Sequence, residues 1–358
     1  MVAFAARTAP SPPPAGGAFA AIDLGTNNCR LLVAAPVADG FRVLDSYSRV
    51  VRLGQGMIAS GQLDASAMER ALTALRACAE RLDRHRLTGL RAVATEACRR
   101  AENGAAFLDR ARRETGLALE LISTREEAEL AVESCAPLLQ REGGRRALLF
   151  DIGGGSTEIA WVRLEAPGQP PVLIGYRSLP LGVVVLAERY GCAALTEAGF
   201  AAMVAEIVEH LQPFERIHCI GQEIARGGVV VLGTSGTLTT LAAVALGLPR
   251  YRRDLVDGAV LPRREAERAL AELRSLGREG LCGHPCVGPE RADYVLPGCA
   301  VVAAIDRVWP AAHAVVADRG LREGMLLRMM RAARAQHRTH PGYFNRAASP
   351  RPAGTERS

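Results

Sequence analysis

Apolar and polar positions along the chain fall into short blocks that switch between a period of two and a period near 3.6. Residues 20–25 and 29–35 read as two apolar strands joined by a polar turn, a hairpin, and 41–52 adds further strand-like alternation. From 64 to 85, Met68, Leu72, Leu75, Ala79 and Leu82 recur at helical spacing, with Asp64 placed to cap the helix start. A strand at 90–95 follows, then a helix capped by Asn103 that ends at Thr115, before Gly116. Gly143 and Gly144 break the next helix and precede a second hairpin, 147–151 with 157–164. Beyond it the pattern predicts strands at 172–179 and 229–232 and helices at 183–190, 197–211, 238–246 and 264–276. A further apolar helix, 289–308, should kink at Pro297, because proline has no N–H for a helix interior. Alternating strands and helices predict an α/β fold. Each half opens on a hairpin carrying Asp-x-Gly, as an ancient duplication would leave it.

Those hairpin turns carry the candidate chemistry. Asp23 is followed by Leu24, Gly25, Thr26 and Asn27, and Asp151 by Ile152, Gly153, Gly154, Gly155, Ser156 and Thr157. Glycine visits positive φ freely and has no Cβ, so such a turn lets backbone N–H groups approach an anion, with hydroxyls and amides as further donors. A single turn of this kind is better explained by chain reversal alone. Two facing each other would grip a polyphosphate, with Asp23, Asp151 and Glu158 holding Mg²⁺ against it, since carboxylates do not face phosphate oxygens directly. Gly233, Thr234, Ser235 and Gly236 form a third turn, from strand into helix. It reads either as a phosphate site at a helix N-terminus or as a plain capped connection.

Ser123 to Leu130 opens another helix. With Ser123 as cap, Glu126 takes the capping-box position and Glu127 is left free to act as a general base on water; with Thr124 as cap, Glu127 would be the structural residue. Arg99 is placed to clamp a phosphate bidentately. The segment 317–324 reads as a turn entering the last helix, with Arg322 within reach of ligand.

Length and composition narrow the class. At 358 residues two domains are expected. With 49% hydrophobic but only 4% aromatic residues, aliphatic side chains must do the packing. Lysine is absent, which excludes a Walker-type phosphate lysine and any Schiff-base lysine. The net charge of +6 does not signal nucleic-acid binding by the folded part: residues 331–358 hold six Arg against one Glu, and residues 21–330 are neutral. Nine scattered cysteines suit reduced thiols, and Cys282, His284 and Cys286 match no common zinc spacing. The start of the chain lacks the apolar run of a signal peptide, and the uncharged stretch 227–249 is interrupted by the third glycine turn. The expectation is a cytoplasmic protein with no membrane partner, a disordered lead at 1–19, domains at 20–140 and 141–330, and a disordered basic tail at 331–358.

In order along the chain, AAIDLGTNNCRLLVA, VATEACRRAEN, ISTREEAEL, LFDIGGGSTEIAWV, GTSGTLTTLAAVALGL and ADRGLREGML resemble the motifs of the exopolyphosphatase and guanosine pentaphosphate phosphatase family, in the actin, Hsp70 and sugar-kinase superfamily. The resemblance implies two ribonuclease-H-like domains around a cleft, Mg²⁺ dependence, hydrolysis of a terminal phosphoanhydride and a homodimer. By motif position it makes Glu127 the catalytic glutamate, puts Asp23 and Gly25 to Asn27 on the first phosphate loop and Asp151 to Glu158 on the second, and matches Arg99 to a first-domain arginine. Longer members carry an additional helical region, absent from these 358 residues, that helps bind long polymers. Two rival readings on the same fold are a sugar-kinase-like phosphotransferase and a non-catalytic sensor of polyphosphate or guanosine tetraphosphate.

Overall fold

The computed structural model describes residues 17–339 apart from 39, 167 and 168. Most of the expected disordered lead and tail therefore lies outside the described residues. Strands β1 (Ala18–Leu24), β2 (Asn28–Val37), β3 (Gly40–Val50), β4 (Leu87–Ala94) and β5 (Glu120–Leu121) form one sheet in the order β3-β2-β1-β4-β5. A second sheet is built from β6 (Arg146–Ile152), β7 (Thr157–Arg163), β8 (Val172–Leu179), β9 (Val229–Thr234), β10 (Val260–Pro262) and β11 (His313–Ala317), in the order β10-β11-β9-β6-β7-β8. Read from its far edge, β8-β7-β6-β9-β11 repeats the first sheet, with two antiparallel pairings and then two parallel ones. The topology thus carries the duplication that the two Asp-x-Gly hairpins suggest.

Side chains alternate faces along a strand, and that alternation decides where the aspartates end up. Along β1, Ala20, Ile22 and Leu24 pack on Leu72, Leu75 and Cys78 of the helix Ala65–Leu82. Phe19 and Ala21 face the other way, onto Met325, Leu326 and Met330 of the helix Leu321–Thr339. Along β6, Leu148 and Phe150 join a core made by the helices Glu197–His218, Gly236–Ala245 and Val295–Val308, while Ala147 and Leu149 meet Ala131, Cys135 and Leu139 of the helix Thr124–Arg141. The two helices between the sheets also pack on each other: a Cβ at Gly324 would lie 2.2 Å from the carbonyl oxygen of Leu130. Asp23 shares the face of Ala21 and Asp151 the face of Leu149, so both carboxylates point to this central layer at the ends of their strands.

Several elements differ from the sequence reading. The last helix packs on the first sheet, although the 141–330 boundary groups most of it with the second, and it runs on to Thr339, so 331–339 are helical. Its apolar stripe finds its partner some 300 residues earlier in the chain, a pairing that local periodicity does not reveal. β1 begins at Ala18, inside the expected disordered lead. The helix around Pro297 starts only at Val295, so Pro297 sits in the first turn, where no N–H is needed and no kink follows. Among the described residues no helix is long and apolar enough to cross a membrane.

Candidate active site

The two glycine turns are built alike. Gly25 N–H donates to Asn28 O and Gly153 N–H to Ser156 O, each at 2.9 Å. The carbonyls of each loop are tied down from behind. In the first, Asn27 O accepts from Val51 and Arg52, and Thr26 O from Gly54. In the second, the carbonyls of Gly153, Gly154 and Gly155 accept from the start of the helix Val183–Tyr190 and from Gly182. Gly182 has to be glycine here, since a Cβ would stand 2.3 Å from Gly154 O. Among the described residues, no backbone bond uses the N–H groups of Thr26, Asn27, Gly154 or Gly155. With carbonyls bound behind and donors free in front, each loop has the geometry of an anion cradle. The loops touch: a Cβ at Gly154 would lie 3.2 Å from Asn27 N, and one at Gly155 2.6 Å from Thr26 Oγ1. Asn27 Oδ1 is buried without a partner, alone in this among the described residues.

Around the cradles stand four carboxylates. Burial raises Asp23 above the ordinary carboxylate range, with Arg30 and Arg322 opposing. Asp151 is pushed to about 7, chiefly by burial and further by Asp23 and Glu127, against Arg30. Glu158, opposite Asp151 across the β6/β7 ladder, is pushed to about 7 by burial and by Asp151, although Ser156 Oγ (2.7 Å) and Ser178 Oγ (2.9 Å) both donate to it. Glu127 rises to about 8 through burial and the charge of Glu158. Ser123 is the cap of its helix, its Oγ accepting from Glu126 N–H at 3.2 Å, but the Glu126 carboxylate does not return to the cap. It pairs instead with Arg91 (2.7 Å) and Arg328 (3.3 Å). Glu127, one position on, turns into the cleft and meets Arg99 at 3.3 Å.

Not every candidate presents its side chain to the cleft. Arg99, read as a phosphate clamp, donates to Glu127, Glu96 and the Ile122 carbonyl, so it forks around the two glutamates. The hydroxyl of Thr157 donates to Leu181 O and that of Thr234 to Arg319 O, which leaves these positions only their backbone. The third loop opens beside Asp151, which pairs with Thr234. There Ser235 takes φ 145° and ψ 168°, a region that glycine almost alone adopts. Its Oγ caps the helix Gly236–Ala245 by accepting from Leu238 N–H at 3.4 Å.

The structure adds Arg30, Glu96 and Arg291 to the site. Arg30 lies opposite Asp23 in the β1/β2 ladder, where Glu158 lies opposite Asp151 in β6/β7. Aligning the two hairpins on their aspartates would have found it. Arg291 bonds Thr240 Oγ1 at 3.1 Å and the carbonyls of Cys286 and Val287, has no ion pair with a carboxylate among the described residues, and is lowered by burial. No local pattern marks it.

Two sheets of one topology, meeting at paired glycine loops lined with carboxylates, define a two-domain protein of the actin-like ATPase fold. The model of the Ppx/GppA phosphatase family matches residues 32–333, and the chain belongs to that family, a family of hydrolases. It is 30% identical over 316 residues to a guanosine-5'-triphosphate,3'-diphosphate pyrophosphatase of Aeromonas salmonicida, covering 86% of this chain and 58% of that protein. To exopolyphosphatase 2 of Mycobacterium tuberculosis it is 33% identical over 302 residues, covering 80% of this chain and 89% of the relative. The crystal structure of the Aquifex aeolicus family member superposes with a TM-score of 0.73 at 26% identity, over 88% of this chain and 98% of that one.

Proposed function

We propose that this chain hydrolyses the terminal phosphoanhydride of inorganic polyphosphate, of guanosine pentaphosphate, or of both, releasing orthophosphate in a Mg²⁺-dependent reaction. The observation that carries the reading is Glu127, buried and raised to about 8, beside two loops that offer unpaired N–H groups. The loops bind non-bridging phosphate oxygens. Glu127 takes a proton from water as the water oxygen bonds to the terminal phosphorus, and the bond from phosphorus to the bridging oxygen breaks, leaving the shortened polyphosphate. Arg99 holds the Glu127 carboxylate in place through that transfer. Positioning and charge stabilisation carry most of such a reaction.

The donor set fits a divalent cation. Asp23, Asp151 and Glu158 are oxygen donors whose pKa values are raised chiefly by burial, and for Asp151 and Glu158 also by a neighbouring carboxylate, a cost that a bound cation would relieve. Among the described residues no group of three His, Cys, Asp or Glu side chains could hold the ion on its own, so water and phosphate oxygens would have to complete its shell. When bound, Mg²⁺ would neutralise adjacent phosphates, with these three residues as its protein-side anchors.

The test is phosphate release from polyphosphate and from guanosine pentaphosphate, with Mg²⁺ and no added acceptor, by wild type and Glu127→Gln. General-base catalysis is worth about 10²- to 10⁴-fold, so kcat should fall at least about a hundredfold with folding intact. Near-normal turnover in the variant would overturn the role of Glu127. Phosphate transfer only in the presence of an acceptor would favour the kinase reading.

A further inference from the structure

On the face of the second sheet turned away from the central helix pair, a cavity of about 240 Å³ opens between β6, β9 and the helices Arg263–Ser275 and Val295–Val308. Its walls are apolar, with Phe150, Leu238, Leu241, Leu270, Cys299 and Ala303 among them. Charge is confined to Arg263, Glu267, Asp306 and His313, with Arg263 paired to Glu267 at 3.1 Å and to Asp306 at 2.9 Å. With His313 neutral, these groups sum to one negative charge. An aliphatic-lined cavity of roughly 150 Å³ takes benzene, so this one has room for a fused bicyclic ring. Such a guest would supply the packing partners that the lining side chains lack.

The cavity is wired to the catalytic cleft by two of its own wall residues. Phe150 immediately precedes Asp151, and Leu238 lies in the first turn of the helix that the strained Ser235 caps. Both meet at Gly233, where a Cβ would be 2.4 Å from Leu238 Cδ2 and 2.4 Å from Phe150 Cζ. A guest that displaces either side chain presses on Gly233, the residue before Thr234 of the third loop, and on the strand end that carries Asp151. We infer that this cavity is an effector site for a small fused-ring aromatic compound bearing a neutral or cationic polar group. The negative balance of its rim disfavours an anionic one.

Calorimetric titration of the full chain with indole, tryptamine and indole-3-acetate tests this. Indole and tryptamine should bind at about 1 mM or tighter, in the range open to ligands of about ten heavy atoms, and indole-3-acetate at least about tenfold more weakly. In protein labelled with fluorotryptophan, the fluorine signal of Trp309, which lines the cavity, should shift while that of Trp161 does not. Ala303→Phe, or Ala266→Phe should the first fail to fold, fills the cavity and should abolish both binding and the response of kcat/KM to tryptamine. Saturating tryptamine should change kcat/KM about fivefold or more, the usual scale of allosteric coupling. Failure of both indole and tryptamine to bind, or an unmoved Trp309 signal, would overturn the site. Tighter binding of indole-3-acetate would overturn the charge assignment, and binding without a change in kcat/KM would overturn the effector role.

Discussion

Burial acts on the four cleft carboxylates more strongly than their positive neighbours do, and Glu127 shows it most clearly. Its ion pair with Arg99 lowers the pKa, yet burial and Glu158 still leave it at about 8. A carboxyl whose pKa is higher folded than unfolded binds its proton more tightly in the folded state. That stabilisation is complete below the ordinary value of 4.5 and is lost as pH rises through about 8. Glu127→Gln removes the charge and with it the loss, so the variant should melt higher than wild type at pH 8.5 by at least about 2 °C, and no higher at pH 4. Equal melting temperatures at pH 8.5 would mean that Glu127 is not held in a desolvated site. Arg99 lends itself to a separate measurement. Because it lowers the Glu127 pKa, Arg99→Ala should move the acidic limb of kcat/KM to higher pH as well as reducing kcat. A lower rate with an unmoved limb would give Arg99 a contact with substrate in place of a positioning role.

At the scale of elements, glycines set how closely the parts approach. Gly324 is where the last helix crosses Leu130 of the helix Thr124–Arg141, and a Cβ 2.2 Å from a backbone oxygen can be accommodated only if one helix moves. Overpacking of this kind costs about 1–3 kcal/mol. Gly324→Ala should therefore lower the denaturation midpoint measurably, with activity falling alongside because Glu127 rides on the displaced helix. Wild-type stability in this variant would show that the helices have slack at the crossing. Ser235 illustrates the opposite case, a residue that is not glycine held where glycine is expected. The capping bond to Leu238 holds Ser235 there, and the position lies beside the cleft, where backbone strain tends to be retained.

For the whole molecule, the central helix pair makes one body of two duplicated halves. The helix Thr124–Arg141 contributes Leu130 to the core of the first sheet and Ala131, Cys135 and Leu139 to that of the second. Across the cleft rim, Gly56 N–H donates to Glu188 at 2.8 Å and Arg52 stacks on Tyr294 at 6.0 Å. Each half buries one face of its sheet against this helix, so calorimetry should record one cooperative unfolding transition, and two resolved transitions would contradict the shared layer. Adding Mg²⁺ with tripolyphosphate should raise that single transition, and Asp23→Asn with Asp151→Asn should remove the effect. A shift that survives both substitutions would place the cation elsewhere.

What the amino-acid sequence determined by itself rests on short-range chemistry, though the Glu126 capping box and the kink at Pro297 show that even this is not complete. The alternation of apolar residues defined the α/β class, Asp and Gly marked the two hairpin loops, and the Glu126–Glu127 pair stood at a helix start that either Ser123 or Thr124 could cap. Each of these rests on residues a few positions apart, where periodicity and turn geometry operate. Only the tertiary structure decided that the last helix closes the first sheet, that Arg99 forks between Glu96 and Glu127, that Thr157 and Thr234 turn their hydroxyls to backbone carbonyls, and that Arg291 sits half-buried beside the third loop. Those outcomes join groups up to about 300 residues apart. They follow from which apolar faces find one another and from how burial reweights each charge, quantities that no stretch of sequence carries alone.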